Sequence, residues 1–289
     1  MKKIAIIFIT ALVLITSILP AIPGTRGRAG QNIVLTCTDP SASSDQMKES
    51  AGIILTRLEQ YGVNNINISI DENNRALVLS SESTMDMKIL LPWIVAKGNV
   101  GFHETFTREE VMMSKGFPGG LSSMMVIPDS DEYPGKKSAI LGFCHKADIV
   151  KVDKYLEEHY VANPGAAIRF AWGATPNSDG LYSLYMLKQT PGLDNSFIVS
   201  SEISEGSSGN LSGILISFNK AGASRWAALT ARSNGKCVAI VMDDKVLTAT
   251  TVREEIKGGK CMITGNFSND ELLQLNAVLS SKELPLTFK

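Results

Sequence analysis

Apolar residues recur along this chain with two different periods, and the places where the period changes mark out its elements. Over 41–61, Met47, Ala51, Ile54, Leu55 and Leu58 stand at the i, i+4, i+7, i+8, i+11 spacing, which lines them up on one helix face. The segment before it, 32–36 (NIVLT), reads as a strand. After it, 65–70 (NINISI) alternates, 71–74 is turn-like and 75–79 (RALVL) is apolar again, the pattern of a hairpin. A short helix is expected over 84–96, with Pro92 tolerable only near a first turn or at a kink. The segment 99–107 then reads as a closing strand.

A second stretch has the same rhythm. The segment 211–218 (LSGILISF) is apolar and alternating. The helix expected over 220–233 carries Ala223, Trp226, Ala227 and Thr230 on one face and ends at Asn234-Gly235. A hairpin over 236–242 and 245–252 turns at Asp243-Asp244, and 260–264 adds a short strand. Ser268 and Glu271 have the S-x-x-E spacing of a capping box, in which each side chain satisfies an orphan amide at the helix start. Leu272, Leu275 and Leu279 follow on one face, and 284–288 closes the stretch.

Both stretches read strand–helix–strand–strand–helix–strand, the split βαβ or ferredoxin-like pattern. The fold class expected is α+β, with a ferredoxin-like base built from both ends of the chain and an inserted α+β head. The boundaries set are 31–111 for the N-terminal part of the base, 112–190 for the head and 191–289 for the C-terminal part. The inserted region is rich in Gly and Pro and holds Met112, Met113, Met124 and Met125. It is expected to carry a helix over 147–160, with Val150, Val152 and Leu156 partly on one side. Strands are expected over 168–172 and 181–187.

Composition adds limits. The 289 residues include 28 basic and 29 acidic side chains, and 44% are apolar. That is ordinary globular composition, and the near-neutral balance argues against a nucleic-acid binder, which needs a basic surface to displace counterions. Residues 1–30 open with Lys2-Lys3, continue through an uncharged run over 4–19 and reach Pro20 and Pro23. This is the layout of a secretory signal, cleaved or kept as a membrane anchor. The protein is therefore expected to be exported, and periplasmic in location.

The chemistry-bearing residues are sparse. Cys144-His145 is the one adjacent cysteine–histidine pair, but neighbours on a strand point to opposite faces and make a poor nucleophile–base couple. His103 lies beside Glu104 with no partner at metal-ligand spacing, and His159 reads as an exposed helix residue. Asp243-Asp244 fits a turn better than a cation site. Gly258-Gly259 fits a hairpin or bulge better than a phosphate cradle. Neither cofactor nor metal is expected, nor a small-molecule substrate. Cys237 and Cys261 each stand near the start of a strand-like run, so they could form a disulfide or lie buried as small apolar residues.

Several motifs run in order through the last third: Lys220-Ala221-Gly222-Ala223, Trp226, Leu229-Thr230, then 235–243 (GKCVAIVMD), Val246, Gly258-Gly259, 263–267 (ITGNF) and Val278-Leu279. This run resembles the large periplasmic domain of the protein-translocase subunit SecD and of SecDF fusions. Weaker matches at 53–63, 98–105, 140–143 and 168–172 extend the resemblance to about 45–288. Thr248-Ala249-Thr250 departs from the family's Ser-Ala-Pro. The family's chain continues into further membrane helices with ionisable groups, so a chain with at most one span is not expected to drive movement from a proton gradient by itself.

The resemblance implies a non-enzymatic role in protein export. The polypeptide being exported, or newly exported, would be held by the head, beside Sec translocon membrane subunits. Methionine suits a surface that accepts varied apolar partners. The candidate polypeptide-binding residues are Met112, Met113, Phe117, Met124, Met125, Phe143, Phe170 and Trp172; the competing reading is that the methionines fill a small core. The alternative function is an envelope interaction or scaffold module that kept the fold and left secretion.

Overall fold

A computed structural model of the chain describes residues 31–82, 86–113, 119–127, 138–160, 168–206 and 211–289. The signal-like segment 1–30 and Phe117 lie outside the described residues. The first strands and helices in chain order are β1 (Gln31–Thr36), α1 (Ser44–Tyr61), β2 (Ile66–Asp71), β3 (Ala76–Ser81), α2 (Met87–Ile94), β4 (Val100–Glu104) and α3 (Arg108–Met112). Then come β5 (Ile140–Cys144), α4 (Ile149–His159), β6 (Ile168–Gly173), β7 (Tyr182–Lys188), β8 (Leu193–Asp194), β9 (Ile198–Glu205) and β10 (Leu211–Phe218). The chain finishes with α5 (Lys220–Arg232), β11 (Cys237–Met242), β12 (Lys245–Thr251), β13 (Lys260–Ile263) and α6 (Asn269–Leu279).

The first stretch folds around an antiparallel sheet in the order β1-β3-β2. A capping box between Ser43 and Gln46 starts α1, and Gly62, at φ 96°, ends it. Met47, Ile54 and Leu58 on the expected face pack against Leu35, Leu77 and Leu79 of the sheet and Leu90 of α2. The fourth place in this sheet, beside β1, is taken by the end of the chain. Thr36 and Lys289 exchange two backbone bonds of 3.0 Å, and Cys37 bridges antiparallel to Phe288. Leu284, Leu286 and Phe288 alternate into the same core. Both ends of the chain thus build one layer, in the order of a split βαβ unit.

The strand after α2 goes elsewhere. β4 pairs with β11 in a seven-stranded sheet ordered β5-β7-β6-β12-β11-β4-β8. Its reason is in β11, an uninterrupted apolar run buried on both faces. Val238, Ile240 and Met242 enter a large core with Phe102, Phe218, Trp226 and Leu275, while Ala239 and Val241 enter a smaller one with Ala171, Leu187 and Val246. A strand buried on both sides needs a neighbour at each edge, and β4 and β12 supply them. The strands of 211–289 are accordingly shared between two sheets rather than gathered into one, since β10 and β13 join β9 in a third sheet ordered β13-β10-β9. The helix α6, opened by the expected Ser268–Glu271 capping box, buries Leu272, Leu275 and Val278 in the large core shared with Ile214 and Ile216 of β10.

Two smaller expectations are corrected. Val152 and Leu156 of α4 are buried while Val150 is exposed, because two residues along a helix turn the side chain most of the way to the opposite face. Cys237 and Cys261 do not pair: all four cysteines are free, and these two stand on strands of different sheets. Asp243 and Asp244 form the β11–β12 turn, both at positive φ (47° and 67°), as a two-residue hairpin loop requires.

Candidate polypeptide-binding surface

The candidate residues of 112–190 sit on a unit with its own core. A capping box between Thr107 and Glu110 starts α3, whose last residue is Met112. A single turn of 3-10 helix (Gly119–Ser123) leads to Met124 and Met125. The segment after it lies along β5, where Val126 and Phe143 exchange two backbone bonds of 2.8 Å. Gly142 permits this approach, since a Cβ there would stand 2.8 Å from the Val126 carbonyl oxygen and 2.9 Å from Met125 Cε.

The structure divides the methionine cluster. Met125, 6% exposed, belongs to the unit's core with Val111, Leu121, Leu141, Leu184 and Trp172. Trp172 is buried too, and its indole Nε1 donates to Asp153 Oδ1 at 2.7 Å. Met124 and Phe170 pack at the margin of that core, Phe170 edge-on to Tyr160 at 5.1 Å between centroids. Phe143 is half-buried. Met112 and Met113 face outward, 45% and 76% exposed. Among the predicted residues, then, Met112 and Met113 offer open apolar surface, Met124, Phe143 and Phe170 a half-buried rim, and Met125 and Trp172 hold the unit together. Val126 adds exposed apolar surface that the sequence did not single out, since a lone valine beside a strand gives no pattern to find it by, and Val150, expected on the buried side of α4, adds more.

The titratable groups nearby are poorly set for covalent chemistry. Burial, with Asp148 and Asp153 adding to it, pushes the Cys144 thiol up to about 11, so it stays protonated at neutral pH and is no nucleophile. Its neighbour His145 is exposed. Burial likewise pushes the Cys261 thiol up to about 12. His159 is exposed and stacks on Tyr155 at 4.2 Å. Among the described residues, no group of three or more His, Cys, Asp or Glu side chains converges as a metal site.

Residues 174–286 match the family model described as SecDF, P1 head subdomain. The protein translocase subunit SecD of Calditerrivibrio nitroreducens is 34% identical over 105 residues, which cover 36% of this chain and 20% of that protein. SecD of Acidaminococcus fermentans is 44% identical over 73 residues, covering 25% of this chain and 18% of that protein. The chain is similar to SecD. It spans about a fifth of the length of these two relatives. The SecD-like fold extends further than the sequence match. A crystal structure of SecDF in a super-membrane-facing form aligns with 90% of this chain and 29% of its own, at a TM-score of 0.56 and 20% identity. A second, described as a membrane component SecDF that enhances protein export, aligns with 90% of this chain and 97% of its own, at a TM-score of 0.53 and 18% identity. The α+β architecture is thus that of the aligned SecDF structures. The matched head model begins just after β6 and runs through β13 and α6. It meets the 112–190 span only in residues 174–190.

Proposed function

We propose that this SecD-like protein assists protein export outside the cytoplasmic membrane by holding unfolded polypeptide, without catalysing a reaction. The observation that carries this reading is the match of residues 174–286 to the SecDF head subdomain, set in a fold that aligns with SecDF over 90% of the chain. The relative so aligned is described as enhancing protein export. Met112, Met113 and Val126 supply exposed, adaptable apolar surface on the 112–190 unit, of the kind that tolerates many sequences. Sec translocon membrane subunits are the partners this reading names. Among the described residues no helix is long and apolar enough to cross a membrane.

The test is binding of a denatured, reduced protein to the purified chain, followed by fluorescence anisotropy with the same protein in its folded form as competitor. Saturable binding of the unfolded form alone, weakened by the double variant Met112→Ser/Met113→Ser, is the expected result. Binding of one folded partner with indifference to unfolded chains would sink the proposal and favour an envelope scaffold.

A further inference from the structure

We infer that β9 is a docking edge for an extended polypeptide segment, which joins the β13-β10-β9 sheet as an added strand. The inference rests on the proposed binding of unfolded chains and gives it a second place and a main-chain mode. β9 lies at the edge of its sheet and, among the described residues, pairs with β10 alone. Alternate N–H and C=O groups of an edge strand point away from the sheet and are ready to pair. At eight residues β9 is as long as any strand described, yet it carries no lysine or proline, two common devices that blunt an exposed edge. Val199 stands 67% exposed on it.

A cleft of about 740 Å³ runs along the first half of this strand. Asn99, Asp194, Asn195, Ser200, Ser201 and Glu283 are among its lining residues. Small serine side chains let a second backbone come close.

Charge selects the occupant. Asp194, Glu202, Glu205 and Glu283 stand on or beside the edge, against Lys282 in the cleft wall and Lys97, which pairs with Glu283 at 3.7 Å. A neutral to basic segment is therefore favoured. A second copy of the chain is disfavoured, because self-pairing brings two strands together whose only charges are acidic.

The test uses the intact chain and a labelled, unstructured peptide of alternating serine, valine and lysine. Two further versions are N-methylated at every second residue, in opposite phase. Only one phase removes the N–H groups that would face β9. The expected result is that one phase binds weaker by about tenfold or more and the other binds nearly as well as the parent. Hydrogen exchange should slow at alternate amides of β9 when the peptide is present. Equal binding by all three peptides, with β9 exchange unchanged, would overturn edge pairing while leaving polypeptide binding standing. No binding of any peptide would overturn both. Protection of the same amides that rises with protein concentration, without peptide, would assign the edge to a second copy instead.

Discussion

Arg57 and Asp243 hold the crossover from α2 to β4 from its two sides. Arg57, on α1 and 1% exposed, donates to the carbonyl oxygens of Ile94 at 3.0 Å and of Ala96, and to Ser281 Oγ at 2.8 Å. Asp243, from the β11–β12 turn, accepts from the Gly98 and Asn99 amides at 3.0 and 2.8 Å. The guanidinium thus takes the carbonyls left open at the end of α2, and the carboxylate takes the amides that lead into β4. Burial pulls Arg57 down to about 10 and Asp243 opposes that shift, so it remains charged at neutral pH. This short connection joins the layer built from the chain ends to the seven-stranded sheet.

Arg57→Met should therefore lower stability by about 3–5 kcal/mol, the range for stranding several buried polar groups at once. Arg57→Lys should be damaging too, since one ammonium cannot span the fork of acceptors. Urea unfolding of the three proteins checks this. A loss under about 1 kcal/mol for the methionine variant would mean that water replaces the guanidinium.

Gly98 lies inside the same crossover at φ 77°, and a Cβ there would stand 3.0 Å from Arg57 Nη2 and 3.1 Å from Val278 Cγ1. Gly235 has nearly the same φ, 76°, with nothing within 4 Å of the added atom. Gly235→Ala should cost only the strained backbone, about 1 kcal/mol. Gly98→Ala should cost clearly more, because it also displaces the guanidinium. Equal midpoints in urea for the two variants would show that the crowding at Gly98 relaxes freely.

His103 gives the fold a pH dependence. It is buried on β4, and its Nδ1 lies 2.9 Å from the Lys188 carbonyl oxygen. Burial lowers its pKa below the ordinary 6.5, the Lys188 carbonyl opposes this, and Arg169 adds to it. The unfolded chain then binds a proton more readily than the folded one. The stability contributed by neutral His103 is complete above the unfolded pKa and is lost as pH falls from about 6.5 toward the folded value. The wild-type midpoint in urea should drop over that interval, and His103→Gln should flatten the drop. A slope unchanged by the substitution would place its origin in other groups.

How much of this was readable in the sequence depends on where the deciding contacts lie. The run 236–242 showed itself as one arm of a hairpin because it is apolar from Cys237 up to the turn at Asp243-Asp244, and the Ser268–Glu271 box fixed a helix start through a contact three residues long. β9 stayed hidden because its serines and glutamates alternate with too few apolar residues to set a period. The departure of β4 from the first sheet was not legible either. Its partner, β11, lies more than a hundred residues away, and no local pattern distinguishes a strand bound for one sheet from a strand bound for another. Arg57 was not singled out, since its acceptors are backbone carbonyls and the hydroxyl of Ser281, more than two hundred residues away, which no local pattern ties to it. The methionines were recognised as a group, but their division into core and surface depends on the path from the 3-10 turn onto β5.

That division supplies the sharpest separation of stability from binding. Met125 fills the core of the 112–190 unit, so Met125→Ala should cost about 2–5 kcal/mol through the cavity it leaves. Met113 stands 76% exposed, and Met113→Ser should change stability by no more than about 0.5 kcal/mol. Affinity for an unfolded polypeptide should respond the other way. The Met113 variant should lose affinity with its urea midpoint intact. The Met125 variant, assayed where it is still folded, should keep most of its affinity. If Met113→Ser binds unfolded protein as well as the parent, the exposed methionines are not part of the binding surface. The polypeptide would then have to be held elsewhere, with the edge of β9 the first place to look.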